Sequence, residues 1–139
     1  MAIFANTQEM QDVLQAVLER GQDTDTARGL AKAGIVIAFV YTDPDLRLVM
    51  DGKSPSEGQA MGYFFGEDGP TPDVTFTLHG DVGNRFWSGK LNVPQALARG
   101  QIKAQGSIAK ALKLLPLMPS ISQVYRDVMT ERGRAGDLA

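Results

Sequence analysis

The stretch Asp73–Pro119, DVTFTLHGDVGNRFWSGKLNVPQALARGQIKAQGSIAKALKLLPLMP, decides the fold of this chain. Val74, Phe76 and Leu78 alternate with Thr75, Thr77 and His79, the two-residue period of a half-buried strand. Gly80-Asp81 then offers a turn and an N-cap, and Val82, Arg85, Phe86 and Trp87 fit a short helix closed by Gly89. Asn92, with Gln95 three residues on, predicts a capped second helix that tolerates Pro94 in its first turn. Gly100 ends it, and Ile102 and Ala104 alternate with Lys103 and Gln105 through a second strand. Ser107 is placed to cap a third helix with Ile108, Ala111, Leu112 and Leu115 on one face. These helices are more apolar than two thin layers need, and none carries a catalyst. The combination predicts a hydrophobic site.

Working outward, Asn6 and Glu9 predict a cap for an amphipathic helix with Met10, Val13, Leu14, Val17 and Leu18 on its buried face, stopped by Gly21. Its expected role is to cover a sheet. Gln22–Arg28 reads as a polar connection. In Ala33–Tyr41, Ile35, Ile37 and Phe39 lie on one face and Val36, Ala38 and Val40 on the other, which predicts a central strand covered on both sides. After a Thr42–Asp45 turn, Leu46, Leu48 and Met50 mark a second strand. The Ser54–Ser56 loop leads to a third, Gln59–Gly66, with Met61, Tyr63 and Phe65 on one face. Beyond Leu115 the prolines 116 and 119 interrupt any regular helix, and Ser120 opens a last one with Ile121, Val124, Tyr125, Val128 and Met129 on one face. The expectation is one domain over residues 1–139, with an ordered core at 6–132 and a frayed polar tail at 133–139.

Composition narrows the chemistry. The formal net charge of −2 argues against nucleic-acid or polybasic membrane binding. With no cysteine, thiolate chemistry and disulfides are excluded, and a single histidine, His79, leaves zinc without a ligand set. The turn carboxylates Asp43, Asp45, Glu67 and Asp68 read as backbone caps, and no phosphate-binding glycine motif or nucleophile elbow occurs. No cofactor, metal or catalytic residue is expected. Asn6, Gln8 and Glu9 interrupt the N-terminus too early for a secretory signal, so the expected compartment is the cytoplasm. The adjacent aromatics Phe86 and Trp87 cannot both point into one core from a short helix, so one of them should face a cavity or an interface.

The strand DVTFTL, the aromatic-bearing helix and the run SGKLNVPQALARGQIKAQGSIAKALKLL resemble the sterol carrier protein 2 family of lipid-carrier domains. The resemblance implies an α/β (α+β) domain with a five-stranded, mostly antiparallel sheet. Its element order would be helix, three strands, crossover, strand, helices, strand and C-terminal helices. It also implies an apolar tunnel between sheet and helices that holds a lipid such as a fatty acyl, sterol-like or isoprenoid chain. No catalytic motif or fixed polar anchor comes with it, so the lining is assigned from apolar faces. Phe76, Leu78, Phe86, Trp87, Leu97 and Ile102 would face Leu112, Leu115, Met118 and Val124. The broken segment Pro116–Ser120 and the helix Ile121–Met129 are the expected lid, and Lys53, Arg85, Lys90 and Arg99 are the cations that could meet an anionic head. The expected partners are a lipid and, transiently, a membrane, with an enzyme partner or a homodimer left open. The C-terminal Gly136-Asp137-Leu138-Ala139 lacks the peroxisomal tripeptide of some family members.

Overall fold

The computed structural model describes residues 3–55 and 58–138. Ser56 of the expected loop and Ala139 of the expected tail lie outside them. The chain opens with α1 (Thr7–Arg20), whose Asn6 cap accepts the Glu9 N–H at 2.9 Å. A three-ten turn at Gly21–Asp23 leads to α2 (Asp25–Ala33). Three strands follow: β1 (Val36–Thr42), β2 (Leu46–Asp51) and β3 (Gly62–Phe65). Next come β4 (Val74–His79), α3 (Gly80–Trp87), α4 (Val93–Ala98) and β5 (Ile102–Gly106). The chain ends with α5 (Ile108–Leu112), a three-ten turn at Leu115–Leu117, α6 (Met118–Glu131) and a last three-ten turn at Ala135–Asp137.

The five strands form one sheet in the order β3-β2-β1-β4-β5, antiparallel except for the parallel β1–β4 pair. Register places Phe39 beside Phe76, Tyr41 beside Leu78, and Leu78 beside Ile102, so one face is a continuous apolar surface under the helices. The opposite face of β1 belongs to a different cluster. Val36, Ala38 and Val49 form a separate small cluster there, buried among neighbouring strand side chains. β1 is central as expected, but only one of its faces belongs to the main core.

Several boundaries differ from the sequence reading. The polar connection contains α2, because Thr24 Oγ1 accepts the Ala27 N–H at 3.1 Å and buries Thr26, Ala27 and Leu30 behind a charged outer face. β1 and β3 are shorter at their N-terminal ends than Ala33 and Gln59 suggested. The cap of α3 is His79, whose Nδ1 accepts the Asp81 N–H, rather than Gly80-Asp81. Ser107 makes no side-chain cap, α5 stops at Leu112, and α6 starts at Met118 with Pro119 in its first turn, where a missing N–H costs no helical bond. The tail is anchored rather than frayed. Arg134 donates to Glu9 and to the Ile3 carbonyl and lies over the Phe4 ring at 5.0 Å, while Asn84 Nδ2 donates to the Asp137 carbonyl at 2.8 Å.

Asp73 ties the parallel pair together. Its Oδ2 accepts the Val36 N–H at 2.9 Å, its own N–H reaches the Val36 carbonyl at 2.8 Å, and Lys53 Nζ sits 3.1 Å from Oδ1. The Val36 N–H first, and Lys53 second, hold this carboxyl below the ordinary value of 3.8. A depressed carboxylate contributes stability above its unfolded pKa and loses it as pH falls through the lower folded value. Asp73→Asn is therefore expected to cost about 1–2 kcal/mol at neutral pH, and urea titrations across acidic pH should show a shallower acid limb than wild type.

Candidate functional site

An apolar slot lies between the sheet and the helices. Its floor is Ile37 and Phe39 of β1, Met50 of β2, Phe76 and Leu78 of β4 and Ile102 of β5. Its roof is built from Leu30 of α2, Phe86 and Trp87 of α3, Val93 of α4 and the segment Ala111–Met118. Strand alternation explains the floor, since every second residue of β1 and β4 faces the helices. Phe39 is the hub, with ring centroids 5.8 Å from Phe76, 5.6 Å from Phe86 and 5.8 Å from Trp87. The slot is narrow, with a cavity volume of ≈ 50 Å³. A roomier groove of ≈ 360 Å³ adjoins it and shares Phe86, Val93, Leu115 and Met118 as a common wall.

Trp87 is 1% exposed, and its Nε1 donates to Tyr41 Oη at 2.8 Å. Helix α3 can come this close because residue 83 is glycine: a Cβ there would stand 2.7 Å from the Tyr41 ring. Burial pushes the Tyr41 and Tyr125 hydroxyls well above the ordinary tyrosine range, so both stay protonated. Tyr125 donates to Asn84 Oδ1, which fastens α3 to α6. With Trp87 held this way, its neighbour Phe86 is only half-buried and faces both the slot and the groove.

Among the described residues no charged side chain lines the slot. Thr26 is its polar member, and its Oγ1 donates to the Leu117 carbonyl and lies 3.1 Å from Ser120 Oγ. Among the described residues no group of three or more histidines or acids could hold a metal. His79 is occupied as the α3 cap and lies 3.2 Å from Asp43.

All the residues assigned from sequence reach the slot except Leu97 and Val124. Helix α4 turns Val93 and Ala96 inward and leaves Leu97 half-buried at the side. Helix α6 turns Ile121, Tyr125 and Val128 into the core, and Val124 sits on its flank. That burial also removes Ile121–Met129 from the expected lid, because α6 packs against α1 and α2 as part of the core. Sequence reasoning missed Thr26 and Leu30, which arrive with the unrecognised α2, Ile37, Phe39 and Met50 of the sheet, and Val93, Ala111 and Leu114 of the later helical segments. The alternation that selected Phe76 and Leu78 would have selected Phe39 once β1 and β4 were paired. Of the four cations considered for a head group, Lys53 is committed to Asp73, and neither it nor Arg85, Lys90 or Arg99 lines the slot or the groove.

The model of the SCP-2 sterol transfer family matches residues 14–119. No curated protein sequence matches the chain. Among solved structures, it is similar to the sterol carrier protein domain 2 of Helicoverpa armigera, with a TM-score of 0.58 and 25% identity over 91% of this chain and 87% of that one. It is similar to the UbiJ-SCP2 ubiquinone synthesis protein, with a TM-score of 0.55 and 16% identity over 85% and 89% of the two chains. The stereoselective inverting sec-alkylsulfatase Pisa1 from Pseudomonas sp. gives a TM-score of 0.56 and 23% identity over 74% of this chain. The chain spans only 15% of that enzyme's length.

The Trp87–Tyr41 bond can be isolated by a double-mutant cycle. Trp87→Phe and Tyr41→Phe each leave one buried polar group unpaired and should each cost about 1–3 kcal/mol. The pair of substitutions together should cost less than the sum of the two, read from chemical denaturation.

Proposed function

The chain belongs to the SCP-2 sterol transfer family, and we propose that it is a non-catalytic carrier that holds the apolar chain of a lipid between its sheet and its helices. The observation that carries this reading is the slot itself, centred on Phe39 and lined by apolar side chains apart from Thr26, with no charged side chain among the described residues of its lining. Such a lining can recognise a hydrocarbon but offers no acid, base or nucleophile to act on one.

Energetics set what the carrier must do. A lipid chain in a membrane is already out of water, so the protein has to match the bilayer at ~0.8 kcal/mol per methylene. Leaving three methylenes wet would cost about 2.4 kcal/mol, roughly sixtyfold in occupancy. A slot of ≈ 50 Å³ has room for only a few water-sized groups, so a chain enters by widening it. The segment between α5 and α6 is built to move. Leu112, Leu114, Leu115, Leu117 and Met118 are all half-buried, and the main polar tether of the turn is the Thr26 hydroxyl on the Leu117 carbonyl. Lifting Leu114–Met118 opens the slot toward the groove while α6, beyond Ser120, stays in the core. Leu112, Leu115 and Met118 then close over the chain from above, and Phe76, Phe86, Trp87 and Ile102 meet it from the other walls.

Two substitutions separate the flap from the frame. Met118→Asp, on a half-buried side chain at the mouth, should weaken binding of a fluorescent fatty-acid analogue by about tenfold or more while costing roughly 1 kcal/mol of stability. Phe76→Asp places a charge in the middle of the sheet and should cost more than about 3 kcal/mol. Equal stability losses from both, measured by urea denaturation beside the binding titration, would contradict the flap.

A further inference from the structure

The groove beside the slot has three polar side chains in its lining, Asn92, Ser122 and Arg126. Ser122 and Arg126 are four residues apart on α6 and share a face. Ser122 is 1% exposed, and among the described residues its Oγ has no hydrogen-bond partner. Buried hydroxyls in native folds are nearly always paired, so an orphan on the wall of a groove points to a partner that enters the groove.

Arg126 stands beside it. Its Nη1 donates to the Ser88 carbonyl at 2.7 Å and its Nη2 to Gln123 Oε1 at 3.0 Å, which holds the guanidinium in place without neutralising it. A guanidinium carries five N–H donors, so these two bonds leave others available. Gly89 keeps the approach open: a Cβ there would lie 3.4 Å from both Ser122 Oγ and Arg126 Nη1. Among the described residues the lining holds this cation and no carboxylate. Asp127, on the same helix, is exposed and accepts from Gln123 Nε2 at 2.9 Å.

We propose that Ser122 and Arg126 form a subsite for the carboxylate of a single-chain amphiphile, whose hydrocarbon passes the wall of Phe86, Val93, Leu115 and Met118 into the slot. The assignment rests on the carrier reading and adds a head-group preference to it. A carboxylate accepts two charge-assisted bonds from such a fork and a third from a hydroxyl, whereas an alcohol of the same length gains no charge assistance.

The test compares palmitic acid with hexadecanol by displacement of a neutral fluorescent probe at a pH where the acid is ionised. The wild type should bind the acid about tenfold tighter than the alcohol. Arg126→Gln should lower palmitate affinity by about tenfold and hexadecanol affinity far less, and Arg126→Lys, which keeps the charge but loses the fork, should retain only part of the preference. Ser122→Ala should cost palmitate about threefold. Equal affinity for acid and alcohol in the wild type, or an undiminished preference in Arg126→Gln, overturns the subsite while leaving the carrier reading intact. If the wild type displaces the probe with neither ligand, the carrier reading fails and the subsite fails with it.

Discussion

The hydrogen bond from Trp87 to Tyr41 is the constraint on which the cavity depends. It joins the last turn of α3 to the central strand, and Gly83 one turn earlier lets the helix lie against the Tyr41 ring. Because α3 starts directly after β4 with no intervening loop, the helix has little freedom once Trp87 is seated. Its position fixes the position of Phe86, the next side chain round, and Phe86 with Phe39 defines how wide the slot is. An apolar core alone would close such a gap by dispersion and packing. A buried polar bond with a demanding geometry resists that closure, because an unpaired indole N–H or phenol in this setting is costly.

The remaining layers serve the same arrangement. Helix α6 is packed against α1 and α2 and is bonded to α3 through Tyr125 and Asn84, so the roof has a rigid half. The anchored tail reinforces it, since Asn84 also holds the Asp137 carbonyl and Arg134 reaches the N-terminal segment. The other half of the roof, from Leu112 to Met118, contains two short helical pieces, a proline and half-buried leucines. The two halves meet at Leu117 and Ser120, where Thr26 bonds to both. No helix among the described residues is long and apolar enough to cross a membrane.

Much of this was legible in the sequence because each signal was local. Alternation in Val74–Leu78, the Asn92 cap and the Asn6 cap all describe interactions within a few residues, and the structure has each of them. The resemblance carried by residues 73–119 supplied the five-stranded, mostly antiparallel sheet, which local patterns cannot give, and the order of the strands within it emerges only in the structure. What was missed is non-local or masked. Helix α2 hides because its buried stripe of Thr26, Ala27 and Leu30 contains a single large apolar side chain, too little to stand out in a short polar stretch. Val124 and Leu97 look like lining on a helical wheel, yet the slot takes its residues from where helices cross the sheet. Arg126 gave no sign of its place, because the opposite wall of the groove comes from residues 86–94 and reaches it only through the tertiary fold.

Whether the chain carries an amphiphile is tested most directly by native mass spectrometry of freshly purified protein, followed by solvent extraction. A carrier should show an added mass that is lost on denaturation and is recovered as a single-chain lipid in the organic phase. A protein that flies at its bare sequence mass and shows no thermal shift against a panel of fatty acids, alcohols, sterols and isoprenoids would contradict the carrier reading.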